Sequence, residues 1–285
     1  MIYNIHMAYI LSHLELGRRV RASIASEENL DVALFLLGCL GSDIFFYDRL
    51  PPPLFRKNQK KIGNAFHNID ASDWFAALRS EFGVQNKALV LGLLCHFALD
   101  AAVHPYIESQ ATGADHSRFE ALIDSVLLPT FSERENPFAG LPSVPRTASA
   151  DAFWAELTSA LFQKQVQGVF SRSYRNFLTA ARFLFDPYGR KLSFVRGVER
   201  LVGKRGKLSG FFVSPHHKDE NDCLNSKRTA WAPHWAPERI STASYAQLFD
   251  GAVSEAVRLT TLYLNGEFDI ISAALTGRSM QRGDL

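Results

Sequence analysis

The densest chemistry in the chain lies in one stretch of twelve residues, Cys95-His96-Phe97-Ala98-Leu99-Asp100-Ala101-Ala102-Val103-His104-Pro105-Tyr106. Residues four apart on an α-helix are offset by only about 40°, so His96, Asp100 and His104 form a row along one face. The stretch follows an apolar run over residues 88–94, which points the row into a core. A carboxylate there is costly unless it is paired or bound to a metal. Taken alone, the stretch reads first as a core helix with satisfied polar groups, because short motifs recur by chance. Ligands elsewhere in the chain decide the matter.

Further candidates exist. His116 and Glu120 are four apart and share a helix face. His67 stands in a polar segment, Asp43 follows Gly41 and Ser42, and His13 belongs to the first helical pattern. With the central row they make eight side chains: His13, Asp43, His67, His96, Asp100, His104, His116 and Glu120. Five imidazoles and three carboxylates without a thiolate suit zinc ahead of manganese or iron. Eight ligands exceed one tetrahedral site and suit two or three ions, with a carboxylate bridging some of them. Each also has a plain reading: Asp43 as turn chemistry, His67 as a loop residue, His116 and Glu120 as an exposed helical pair, and His13 as a helix-surface residue. His6, His216, His217 and His234 fall outside the pattern.

The elements that must position these groups are helical. Apolar spacing predicts helices over 8–25, 31–40 (ending at Gly41), 73–82 (capped by Ser72 or Asp73), 86–105 and 115–130 (capped by Asp115). Helical patterns resume over 150–167 and 169–186, with a basic segment to about 202, and end with 244–264 and 267–275. Residues 54–70 read as a polar loop, 132–149 as a surface loop rich in Pro, Ser and Gly, and 203–242 as irregular. No strand alternation is evident. The expected fold is an all-α multi-helix bundle, one domain over residues 1–285.

Composition restricts the function classes. The 285 residues are 47% hydrophobic and 21% charged, ordinary values for a chain with a sizeable core. A net charge of +2 gives little reason to favour nucleic acid. Cys39, Cys95 and Cys223 offer no disulfide framework. The beginning of the sequence lacks a signal-peptide pattern, and the apolar runs near 32–40 and 88–95 fall short of the roughly 20 residues a spanning helix needs. The expectation is a cytoplasmic protein without a transmembrane segment; its oligomeric state is open.

The candidates are ordered His, then Gly-Ser-Asp, then His, then His-x-x-x-Asp-x-x-x-His-Pro, then His-x-x-x-Glu. This ordered set resembles the zinc-dependent phospholipase C family, whose all-α fold and trinuclear zinc site are shared with the fungal single-strand-specific nucleases. The resemblance covers residues 8–125 through motifs, with a weaker echo in Cys223-Leu224-Asn225-Ser226-Lys227-Arg228-Thr229-Ala230-Trp231 and the final long helix. It implies that Asp43, His67, His96 and Asp100 hold one ion and that His104, His116 and Glu120 hold a second. Asp100 would bridge to a third ion shared with His13. In the family that third ion also takes the α-amine and carbonyl of the mature N-terminal residue. His13 is twelve residues from Met1. A start at Met7, with that Met removed before Ala8, would restore the family spacing, and an α-amine pKa of about 7.7–8.0 lets a metal displace its proton.

The activity implied is phosphodiester hydrolysis by water activated between the metals, with Asp43 both ligand and possible proton acceptor. A phospholipid is one such substrate. Choline-selective members box the cation with aromatics; here Ile44 follows Asp43, and Asn64 stands where another aromatic is expected. A nuclease or nucleotidase on the same site, or a non-catalytic metal-stabilised binding protein, remains an alternative. Residues 182–207 hold eight Lys/Arg against Asp186 and Glu199. That excess reads first as a solvated face and otherwise as an attractor for anionic lipid or nucleic acid.

Overall fold

The computed structural model describes residues 10–24, 29–48, 60–164 and 166–284. It is mostly helical, with 65% helix and two short strands. The helices are α1 (Ile10–Ser23), α2 (Val32–Cys39), α3 (Lys60–Asn68), α4 (Ala71–Leu78), α5 (Glu81–Gln85), α6 (Lys87–Gln110), α7 (Ala114–Leu127), α8 (Ala148–Phe162), α9 (Val169–Leu184), α10 (Arg190–Leu201), α11 (Tyr245–Leu264) and α12 (Phe268–Leu275). A 3-10 segment, Gly41–Tyr47, follows α2. Strands β1 (Arg278–Ser279) and β2 (Gly283–Asp284) pair antiparallel.

Helix α6 is the spine. By length and composition it could cross a membrane, but 83% of its most apolar window is buried inside the protein. The apolar run read from sequence understated this helix; its burial marks it as a core element. Helix α2 crosses it backbone to backbone. A Cβ added at Gly92 would lie 2.2 Å from the Phe35 carbonyl oxygen, and one at Gly38 would lie 2.6 Å from that of Leu89. Only glycine on both helices allows this approach, which brings the end of α2 beside His96. Helix α11 packs along α6 as well. It begins with a capping box, in which the Ser244 hydroxyl accepts from the Gln247 N–H and the Gln247 side chain accepts from the Ser244 N–H.

The 3-10 segment and α3 are anchored from behind by aromatic packing. Phe45 and Phe66 both meet Trp154 of α8 edge-on, at 5.3 and 5.1 Å between ring centroids. Phe45 lies two residues after Asp43, and Phe66 directly precedes His67. The buried apolar side chains form one cluster running from Ile10 to Met280.

Several local expectations differ from the structure. Within the predicted polar loop 54–70, residues 60–68 form α3, whose large buried apolar side chains are Ile62 and Phe66, next to buried Gly63 and His67. Its nine residues fall short of the window of about 11–18 over which helical periodicity is read. The predicted helix 73–82 is two short helices, and Asp70 caps the first by accepting from the Ser72 N–H at 2.9 Å. Helix α7 starts after Gly113 (φ +61°) without a side-chain cap, and Asp115 instead pairs with Arg118. The stretch 132–149 is not wholly surface, since Phe138 packs on the core and Arg18 donates to the Pro137 carbonyl at 2.6 Å.

Candidate metal centre

All eight predicted ligands are described, and the fold brings them together. His13 comes from α1, Asp43 from the 3-10 segment, His67 from α3, His96, Asp100 and His104 from α6, and His116 and Glu120 from α7. The groups Asp43–His67–His96–Asp100 and His104–His116–Glu120 each have ligand atoms within 4.8 Å of one another.

In the first group, His67 Nε2 lies 3.0 Å from Asp43 Oδ1 and 3.3 Å from Asp100 Oδ2. His96 Nε2 lies 3.2 Å from Asp100 Oδ2 and 3.9 Å from Asp43 Oδ1. Bonds of about 2.0–2.1 Å to a tetrahedral zinc place neighbouring ligand atoms about 3.3 Å apart, so these separations have the size of a tetrahedron's edges. The other Asp100 oxygen faces elsewhere. Oδ1 is 3.1 Å from His13 Nε2 and 3.9 Å from His104 Nε2. His13 lies over the ring of His96 with centroids 4.4 Å apart. In the second group, Glu120 Oε1 is 2.8 Å from His116 Nε2 and 3.8 Å from His104 Nε2.

Backbone carbonyls orient the rings. Nδ1 of His67 faces the Gly63 carbonyl at 2.8 Å, that of His96 the Cys39 carbonyl at 3.1 Å, and that of His104 the Met280 carbonyl at 2.8 Å. A carbonyl only accepts, so each Nδ1 carries the proton and each Nε2 turns inward. This is how metal-bound imidazoles are commonly held. His116 follows the same logic through a carboxylate, with Nδ1 2.9 Å from Glu108 Oε1. Gly41 belongs to this shell too: its φ is +52°, and an added Cβ would lie 2.3 Å from His96 Cδ2.

The donor chemistry fits cations. Both Asp100 oxygens, Asp43 Oδ1, His96 Nε2 and both ring nitrogens of His13 are buried without a hydrogen-bond partner. Burial alone would raise the Asp100 carboxyl, yet His96, His104 and His13 hold it well below the ordinary carboxylate range. Burial drives His96 down to about 4 against the pull of Asp100, with His13 pushing it further. Burial works against charge on His67 as well, but the Asp100 and Asp43 carboxylates beside it lift it well above the usual value. Protons thus satisfy only some of the imidazoles. Glu120 is short of positive charge: burial, together with nearby Asp43 and Asp100, outweighs His116 and pushes it up to about 7. A divalent cation would meet the inward lone pairs and the carboxylates at once.

A cleft with about 520 Å³ of empty space opens over the second group and one side of the first. Phe46, Asn64, Glu108, Gly113 and Gln281 line it with Asp43, His67, His104, His116 and Glu120. Ile44, directly after Asp43, is 1% exposed and part of the core. The aromatic on the cleft is Phe46, 5.5 Å from the His67 ring. His13, His96 and Asp100 lie outside the lining and form the buried floor.

Spacing gave no sign of Glu108, or of the hairpin that supplies the Met280 carbonyl. The Gln281 N–H donates to the His67 carbonyl at 2.9 Å, and its side chain donates to Glu108 at 2.8 Å. The hairpin approaches α6 at Gly283, where a Cβ would lie 2.7 Å from the Ala101 carbonyl oxygen. Pro105, four residues on, has no N–H to serve that carbonyl. Of the remaining histidines, His216 and His234 are exposed. His217 is half-buried, with Nδ1 3.1 Å from Arg196 Nη2. His6 and the Met7-Ala8 start lie outside the described residues.

Comparison with known proteins gave no family model, no curated protein and no solved structure that matches the chain.

Proposed function

We propose that the protein is a zinc-dependent phosphodiester hydrolase of the phospholipase C type. One observation carries this reading: seven nitrogen and oxygen ligands form two buried groups, and the Asp100 carboxylate of the first faces both His104 of the second and an eighth side chain, His13, at the edge of an open cleft. Asp43, His67, His96 and Asp100 would hold one zinc, and His104, His116 and Glu120 a second. Asp100 Oδ1 and His13 would take part in a third, so the complement is two or three ions. Zinc bound in this way supplies positive charge to phosphoryl oxygens and makes water acidic enough to attack near neutral pH.

The chain's own residues do the rest. Glu108, through His116 Nδ1, and the Met280 carbonyl, through His104 Nδ1, fix the imidazoles on the cleft side. Phe46 and Asn64 shape one wall against which a phosphodiester's substituent would lie. Asp43 reaches both the cleft and the buried floor, so its carboxylate can accept a proton from attacking water. That role is secondary, because a carboxylate engaged with a cation is a weaker base.

The test is metal analysis of natively purified protein, coupled to hydrolysis of bis(4-nitrophenyl) phosphate and of phosphatidylcholine. Expected are at least two zinc ions per chain, turnover abolished by chelator, and recovery on adding zinc. Fewer than two ions with no recovery would defeat the reading. Bound zinc with no turnover of either substrate, and Asp43→Asn altering stability alone, would instead support a metal-stabilised binding protein.

A further inference from the structure

Helix α10 turns an apolar stripe outward. Phe194, Val198 and Leu201 follow one another at helical spacings of four and three, so they share a face, and they are 72%, 43% and 89% exposed. The opposite face carries the buried contacts of α10, Leu192 and Glu199. Beside the stripe, a Cβ at Gly197 would meet nothing within 4 Å. Among the described residues, seven of the eleven large exposed apolar side chains lie between residues 183 and 208. Such concentration is unusual for side chains left to water.

The charge around the stripe has one sign. Arg190, Arg200, Lys204, Arg205 and Lys207 are exposed. The two acids of the segment are buried and used up by hydrogen bonds. Asp186 accepts from the Leu192 N–H, and Glu199 accepts from the N–H groups of Gly206, Leu208 and Ser209 and from the Ser209 hydroxyl. Glu199 thereby folds the 203–208 turn that holds out Lys204, Arg205 and Lys207. A fully solvated charged face would account for the cations but leaves the stripe unexplained.

We propose that α10 and the 203–208 turn form a docking surface for an anionic lipid bilayer. An apolar helix face flanked by Lys and Arg matches the interface between acyl chains and headgroups. Anionic headgroups attract each nearby cation. Nucleic acid fits less well, since Val198 and Leu201 have no ring on which a base could stack. The surface adjoins helix α7, which carries two of the proposed ligands, on a side other than theirs. Arg118, two residues from His116 on α7, lies over the Phe211 ring at 5.1 Å and reaches the Lys207 carbonyl at 3.5 Å. Docking therefore presents lipid beside the helix that carries His116 and Glu120. That use rests on the phosphodiesterase reading, whereas the docking itself does not.

The experiment is co-sedimentation of the full chain with vesicles of phosphatidylcholine alone or mixed with phosphatidylglycerol, with and without zinc. Wild type should partition at least about tenfold more strongly onto the anionic vesicles, because each cation near such a surface contributes about fivefold. Lys204→Ala/Arg205→Ala should remove most of that preference. Phe194→Ser/Leu201→Ser should weaken binding by about tenfold while leaving turnover of bis(4-nitrophenyl) phosphate unchanged. Circular dichroism melts confirm that the variants fold. Equal binding to both vesicle types overturns the proposal. So does undiminished binding by Phe194→Ser/Leu201→Ser, or binding of single-stranded DNA without binding of vesicles. A dimer that these substitutions dissociate, with no vesicle binding, assigns the stripe to a second copy of the chain and likewise overturns it. Vesicle binding without any turnover leaves the docking surface standing and defeats only the enzymatic reading.

Discussion

Replacing Asp100 with Asn isolates the joint between the ion positions. Its Oδ2 lies 3.2 Å from His96 Nε2 and 3.3 Å from His67 Nε2, while Oδ1 lies 3.1 Å from His13 Nε2. Asn keeps the volume and the helix but removes the charge that both sides share. An ion that binds only the folded chain stabilises it by about 2.7 kcal/mol when present at about 100 times its Kd. For a chain of this size one kcal/mol moves Tm by about 2 °C, so each occupied site should add about 5 °C. Asp100→Asn, which disturbs both positions using that carboxylate, should lose about 10 °C of zinc-dependent stabilisation, and His116→Ala about 5 °C. The assay is differential scanning fluorimetry with and without zinc, each variant's own chelated melt being subtracted, alongside metal content by mass spectrometry. The subtraction removes whatever the substitutions do to the metal-free fold. An Asp100→Asn protein that keeps as much metal and zinc-dependent stabilisation as His116→Ala refutes the shared-carboxylate geometry.

Glu108→Ala should weaken zinc binding at the second group by about 10–100-fold, the usual effect of removing a group that orients a ligand; competition titration with a chromophoric chelator measures it, and unchanged affinity removes Glu108 from the site. Gly41→Ala should lose zinc and stability together. A left-handed backbone costs a side chain about 1–2 kcal/mol, and the added Cβ would lie 2.3 Å from the His96 ring. A chelated melt equal to wild type, with full zinc content, contradicts it. The His217 imidazole, pushed down to about 4 by burial and the Arg196 guanidinium, gives a pH dependence away from the metals. It stays neutral in the folded chain while the unfolded chain takes up a proton below about 6.5. Stability is therefore retained above that pH and falls toward pH 4, by about 2 kcal/mol on going from pH 7.5 to 5. Urea melts at both pH values should show this loss in wild type and a smaller one in His217→Gln; equal losses exclude His217 as the cause.

Much of the architecture was legible because long helices advertise themselves, either by an apolar stripe or, in α6, by a nearly continuous apolar run. Helices α1, α6, α7, α9 and α11 fall where apolar spacing predicts them. The misses are short or non-local. Helix α3 is only nine residues long, and its inward face mixes Ile62 and Phe66 with Gly63 and His67. Pairs of two-residue strands lie below any detectable alternation. The outward stripe of α10 has the same spacing as an inward one, so periodicity finds the helix without saying which side meets water. In α10 the buried face is set by Leu192 and Glu199 and by carboxylate bonds to later backbone, none of which a helical pattern encodes.

At the site, what could be read were ligand pairs fixed by one helix: His96 with Asp100, Asp100 with His104, and His116 with Glu120. A spacing of four residues converts directly into a shared face. What could not be read is the apparatus that aims them, because it comes from distant chain. The Met280 carbonyl reaches His104 across 176 positions, and the Cys39 carbonyl reaches His96 across 57. Gly41 shows the difference most sharply. From sequence, Gly-Ser-Asp is ordinary turn chemistry before a ligand. In the structure the missing side chain is itself a requirement, because the His96 ring occupies the space where a Cβ would be. The glycine contacts that let α2 lie against α6 also bring Gly41 and the Cys39 carbonyl to that ring. Close helix packing and ligand orientation are thus one constraint, and a substitution at Gly38 or Gly92 should disturb the metal centre without touching a ligand.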